Sequence, residues 1–132
     1  MMDRLKERGV KTVAVYEKNP AVSSYLEMLL QDCGFVVPWS VSRKEDLPAA
    51  IANLLPDVVV ISHPKAIDAL EVAEGIGGKH PQIVLCTDGK VPSRDSELQA
   101  LGITEVVSRT VTGIGCLIGA LSRCDYLETR HF

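Results

Sequence analysis

The sequence predicts an α/β domain: a five-stranded parallel sheet covered by helices on both faces, in a three-layer (βα)5 arrangement. Short β-branched runs alternate with amphipathic segments along the chain. The runs are continuously apolar, as in strands buried on both faces, and most breaks fall at turn-forming residues such as Asn19-Pro20, Gly34, Pro56 and Gly102. With 132 residues, 46% of them hydrophobic, the chain is long enough for one compact core and short for two. A single domain over 1–132 is expected, with its core at about 11–123.

The first strand is expected over Thr12 to Tyr16, stopping at Glu17-Lys18-Asn19-Pro20. There Asn19 suits an N-cap and Pro20 the first helical position. Val22, Tyr25, Leu26, Leu29 and Cys33 then recur at helical spacing until Gly34 closes the helix. Phe35 to Val37 reads as a short second strand, and Pro38, which has no N–H for a ladder, places it at or near a sheet edge. Ser42 with Glu45 spells a capping box, but a helix starting there would hold Pro48 in its interior, so Asp46 is the preferred cap. From Leu47, the stripe of Ile51, Leu54 and Leu55 leads to Pro56, followed by a buried strand, Val58 to Ile61, that ends at Ser62-His63-Pro64.

A third helix is expected over Ala66 to Ile76 with Leu70 and Ala73 inward, then a fourth strand, Ile83 to Cys86, with Thr87-Asp88-Gly89 as its loop. A fourth helix near Ser93 to Leu101 is closed by Gly102, and Glu105 to Ser108 is the weakest strand. The fifth helix begins near Thr112, with Ile114, Leu117, Ile118 and Leu121 inward. Gly113, Gly115 and Gly119 each lower its helicity by about 1 kcal/mol relative to alanine. The sequence shows no internal repeat and no low-complexity segment.

A formal net charge of -3 with scattered Lys and Arg argues against nucleic acid and anionic membranes as partners. The stretch from Met1 to Lys11 is charged, and no run approaches the roughly 18 apolar residues of a membrane helix. The chain is expected to be soluble and cytoplasmic. Cys33, Cys86, Cys116 and Cys124 show no CxxC or Cys/His spacing, so buried free thiols are expected and a structural zinc is not.

In an open parallel sheet, ligands bind beyond the carboxyl ends of the strands, which singles out Glu17, Lys18, Ser62, Thr87 and Arg109. Around these positions the sequence resembles the receiver domains of two-component response regulators, over Lys11 to about Arg123. The resemblance is carried by Val13-Ala14-Val15-Tyr16-Glu17-Lys18-Asn19-Pro20, by Pro56-Asp57-Val58-Val59-Val60-Ile61-Ser62, by Thr87, and by Gly102-Ile103-Thr104-Glu105-Val106-Val107-Ser108-Arg109-Thr110. It implies the flavodoxin-like (CheY-like) fold with strand order 2-1-3-4-5.

A receiver of this kind uses paired carboxylates to hold Mg2+, an aspartate to accept a phosphoryl group and a lysine to hold the product. Aligned with that pattern, Glu17 keeps one carboxylate, Lys18 replaces the other, Ser62 replaces the acceptor and Arg109 replaces the lysine. The formal charge of the pocket changes from about minus two to about plus one, which disfavours a hard dication. Lys18 is then expected to pair with Glu17 or to stand in for the metal's charge, leaving the site in one conformation. Val106 occupies the position of the family's switch aromatic, and Thr110 that of its proline.

The resemblance therefore implies a non-enzymatic, receiver-like signalling domain that binds neither metal nor cofactor. It is not phosphorylated at Ser62 and acts through a protein partner, an output domain or a second copy, at the surface of the fourth and fifth helices. The alternative is an anion or nucleotide sensor using Lys18, Arg109, Ser62 and Thr87.

Three other constellations have simpler readings. Ser62, His63 and Asp68 contain the residue types of a hydrolytic triad, but neighbouring strand residues point to opposite sides and no GxSxG elbow surrounds the serine. Gly113-x-Gly115-x-x-x-Gly119 misses dinucleotide-binding spacing and has no βα unit after it. A flavin needs a hydroxyl- and glycine-rich loop that Glu17-Lys18-Asn19-Pro20 does not supply, and Trp39 alone offers a large ring for it.

Overall fold

The computed structural model describes residues 12–76, 81–109, 117, 118, 120 and 121. Five parallel strands form one sheet in the order β2-β1-β3-β4-β5: β1 (Val13–Glu17), β2 (Ser40–Val41), β3 (Val58–Lys65), β4 (Gln82–Asp88) and β5 (Ile103–Val107). Between them lie α1 (Pro20–Asp32), α2 (Leu47–Asn53), α3 (Ala66–Ile76) and α4 (Asp95–Ala100). Leu117, Ile118, Ala120 and Leu121 are helical, and the expected helix start at Thr112 lies outside the described residues. No helix among the described residues is long and apolar enough to cross a membrane.

Continuous apolar runs make β1, β3 and β4 central strands because each face of the sheet has its own helical cover. Val13, Val15, Val58, Val60, Val84 and Cys86 pack with Leu26 and Leu30 of α1 and with Leu117, Ala120 and Leu121. Ala14, Tyr16, Val59, Ile61, Ile83 and Leu85 face the other way, onto Leu47 of α2 and Ala69, Leu70, Val72 and Ala73 of α3. Two-residue alternation along each strand sorts neighbours between the two cores.

Local chemistry delimits α1 as expected. The Asn19 side chain accepts from the N–H groups of Ala21 and Val22 at 2.9 and 3.3 Å, and Pro20 occupies the first turn. Gly34 ends the helix at φ +96°, a conformation that L side chains rarely adopt. The buried stripe is narrower than its spacing suggests: Leu26 and Leu30 are buried, whereas Tyr25 and Cys33 are exposed. Cys33 is thus a surface thiol rather than a buried one, because it lies beyond the last helical turn. Cys86 is buried, and Cys116 and Cys124 lie outside the described residues.

The second strand departs from expectation. Phe35 to Val37 contributes only the bridge of Val36 to Thr12, and the paired strand is Ser40–Val41. Val13 and Val15 donate to the carbonyls of Val36 and Trp39 at 2.9 and 3.3 Å, so the edge advances three residues where β1 advances two. Pro38, with no N–H to offer, sits in that irregularity.

Asp46 precedes α2 as expected, at the end of a 3-10 turn over Lys44–Asp46, but its side chain makes no capping hydrogen bond. The helix stops at Asn53, so Leu54 and Leu55 are 53% and 60% exposed instead of continuing an inward stripe. The Trp39 indole donates to the Leu54 carbonyl at 2.9 Å and holds this exposed segment against the β2 edge.

Three strands run longer than their apolar cores, β4 among them, from Gln82 to Asp88. β3 continues through Ser62, His63 and Pro64 to Lys65 because β4 offers partners as far as Asp88, with a register shift between His63 and Lys65 that accommodates the proline. β5 begins at Ile103 and ends at Val107, and Ile83 and Cys86 are its first and last partners on β4. Gly102, at φ +84°, makes the turn from α4 into β5.

Truncating a fully buried centre of either core, Leu30→Ala or Leu85→Ala, should cost roughly 2–5 kcal/mol. Leu54→Ser should stay within about 0.5 kcal/mol. Urea unfolding followed by the fluorescence of the single tryptophan, Trp39, checks both.

Candidate functional site

Register brings Glu17, Ser62 and Cys86 to the same level of three adjacent strands. All three side chains face the core that contains α1, at the carboxyl end of the sheet. Glu17 is only 2% exposed, as is Ser62, so the carboxylate must find donors within the protein.

It finds them in three places. The Ser62 hydroxyl donates to Glu17 Oε1 at 2.5 Å, and Arg109 Nη2 donates to the same oxygen at 3.0 Å. The Asn19 N–H donates to Oε2 at 3.0 Å. Arg109 Nε also donates to Ser62 Oγ at 3.1 Å, which closes a three-residue ring. Beneath the guanidinium, the Cys86 thiol donates to the Ser108 carbonyl at 3.7 Å. Burial pushes the Cys86 thiol up to about 11, against a smaller lowering by the Arg109 charge.

Three of the five singled-out residues come together and two do not. Glu17, Ser62 and Arg109 form the cluster. Lys18 does not pair with Glu17: it lines one crevice with Tyr16 and another with Glu17 and Arg109, and has no ion pair among the described residues. The charge that answers Glu17 comes from Arg109. Thr87 is buried, but its hydroxyl donates to the Asp88 carbonyl at 3.4 Å and takes no part in the ring. Of the four groups of an anion sensor, Lys18 and Arg109 line one crevice, but Ser62 is bonded to Glu17 and Arg109, and Thr87 to Asp88.

Ser62, His63 and Asp68 do not form a triad. His63 Nδ1 accepts from the Lys65 N–H at 3.0 Å while its Nε2 lies 3.8 Å from Asp68, and Ser62 is engaged with Glu17 and Arg109 on the other face of the strand. Cys86 is the residue that sequence reasoning missed here. Its signal was the register, since β4 must set one side chain beside Ser62 once the strand order is known.

The crevice above the ring, about 570 Å³, is lined by Glu17, Lys18, Asn19, His63, Pro64 and Arg109. Mg2+ demands octahedral oxygen ligands at short range. Glu17 is the one carboxylate among these lining residues and it is already occupied by Arg109, so they do not fit the ion. Among the described residues no group of three or more His, Cys, Asp or Glu is disposed to hold a metal.

The strand order and the alternating helices match a known architecture. The fold is that of the CheY-like receiver domains. The signal receiver domain of a modulated diguanylate cyclase from Desulfovibrio desulfuricans G20 superposes with a TM-score of 0.73 at 15% identity, covering 93% of this chain and 99% of that one. The chemotaxis protein CheY4 of Vibrio cholerae gives 0.68 at 17% identity, covering 87% and 98%. CheY6 of R. sphaeroides, solved in complex with the P1 domain of CheA3, gives 0.67 at 15% identity, covering 88% and 97%. No family model and no curated protein matches the sequence. Within the receiver fold, β3 here stays paired to β4 up to Lys65, and α3 begins at the next residue.

Breaking the ring from either side leaves a buried group without its partner. Arg109→Ala should destabilise the domain by roughly 3 kcal/mol, while Lys18→Ala should change stability by less than about 0.5 kcal/mol; paired denaturation curves compare the two. Iodoacetamide at pH 8 should label Cys33 and leave Cys86 unmodified until the protein is unfolded, as read by peptide mass mapping. Because the Cys86 pKa is raised on folding, its contribution to stability is complete below pH 9 and is lost as pH rises towards about 11.

Proposed function

We propose that the chain is a receiver-like signalling domain of the two-component type that works without aspartyl phosphorylation and acts by docking to a protein. The observation that carries this reading is the Glu17–Ser62–Arg109 ring. The position that resembles a phosphoryl acceptor holds a serine, its hydroxyl is already committed as a donor, and the only carboxylate of the ring is neutralised by a guanidinium. A hydroxyl nucleophile needs a base to take its proton. Glu17 accepts that hydrogen bond, but the same oxygen also accepts from Arg109, so the group beside the hydroxyl is already engaged.

In this reading the docking surface is where α4 meets β5. Leu98, Gln99, Ile103, Thr104 and Val106 line a shallow groove there, and Val106 is 39% exposed. A branched aliphatic at this position supports a static contact surface, since it has no ring to swing between buried and exposed states. The complex of CheY6 with the CheA3 P1 domain is an example of a protein of this fold engaging another protein. The anion-sensor reading receives less support, because Arg109 and Ser62 are spent on Glu17 and Thr87 is turned to Asp88.

The test is an amide NMR titration of the labelled protein with Mg2+ and beryllium fluoride, and separately with inorganic phosphate and nucleotides. The expected outcome is no shift at Glu17, Ser62 or Arg109 with Mg2+ and beryllium fluoride at about 10 mM. Saturable shifts there would restore a phosphorylatable receiver and overturn the reading, and shifts with the anions alone would promote the sensor.

A further inference from the structure

Arg109 follows β5, yet its guanidinium lies on Glu17 of β1, and β4 and β3 separate those two strands in the sheet. The chain past Val107 therefore turns inward across the strand ends, and the contact of the Cys86 thiol with the Ser108 carbonyl marks its crossing of β4. The ends of β1, β3, β4 and β5 are thus tied at one level by side chains 22, 45, 47 and 92 residues apart.

We infer that this cross-sheet brace is a conformational lock: it holds the exit of β5 in one arrangement, so that the surface at α4 and β5 is presented in a single state. The inference deepens the functional reading above and rests on it. Two observations carry it. Withdrawing Arg109 would leave Glu17, nine-tenths and more buried, with only the Ser62 hydroxyl and the Asn19 N–H as donors. The neighbouring elements are pinned separately: β3 is paired to β4 as far as Lys65 and runs straight into α3, and the Thr87 hydroxyl is bonded to Asp88.

The experiment is amide relaxation dispersion and hydrogen exchange on the full chain and on Arg109→Gln. In the wild type, the amides of Val106, Val107 and Arg109 should show flat dispersion. In Arg109→Gln, exchange of the β5 amides and of Leu85 and Cys86 should rise at least about tenfold more than that of Val13 and Val15. If Arg109→Gln does not fold, Ser62→Ala removes the bridging hydroxyl and should accelerate the same amides. Millisecond exchange at Val106 to Arg109 in the wild type overturns the lock, and so does an equal rise across all strands. The two readings fail separately. Binding of Mg2+ with beryllium fluoride overturns the functional one, whereas an exchanging β5 exit in a protein silent to beryllium fluoride overturns the lock alone.

Discussion

Glu17 carries a carboxylate that is only 2% exposed, at the end of a central strand. A buried charge survives only when opposite charge and hydrogen-bond donors meet it. The chain meets it with residues from three different elements: the backbone of Asn19 at the mouth of α1, the hydroxyl of Ser62 in β3, and the guanidinium of Arg109 beyond β5. Such a demand restricts much else. β3 must deliver a small donor at the matching level, and the chain after β5 must bend inward far enough for a long side chain to reach β1. The same demand explains why the crevice, although flanked by Lys18 and Arg109, is not an open basic pocket.

The remainder of the fold follows from a sheet covered on both faces. Alternate residues of β1, β3 and β4 feed two separate cores, so a single strand serves α1 on one side and α2 and α3 on the other. At the end nearer the crevice the alternation continues, but the residue types change. Tyr16 and His63 go to one side, and Glu17, Ser62 and Cys86 go to the other. Chemistry of quite different character is thereby separated by one strand's thickness.

Most of this architecture was legible in the sequence because it rests on local signals. Asn19-Pro20, Gly34 and Gly102 work through backbone conformation and capping, which neighbours decide, and the continuous apolar runs of β1, β3 and β4 report burial directly. Elements whose existence depends on distant partners were less legible. β2 is two residues long and is defined only by its ladder to β1, and the extension of β3 to Lys65 is defined by β4. Leu54 and Leu55 continued an apolar pattern after the helix that would have buried them had ended. At the site the residues themselves were identifiable, but their pairing was not. Adjacent positions suggested Lys18 for Glu17, whereas the actual partner lies 92 residues away and depends on strand order and on which side each residue leaves its strand.

The irregular β2 edge has a bearing on colloidal behaviour. An exposed edge with an unbroken row of N–H and C=O groups is a template for strand addition by another chain. Here the edge beside β1 is interrupted at Pro38, accumulates an extra residue between Val36 and Trp39, and is regular for only two residues. A neighbouring molecule finds no continuous ladder to extend, although Val36, Leu54 and Leu55 leave apolar surface exposed. On this side of the sheet the proline that shortens the strand also protects the protein against edge-to-edge aggregation.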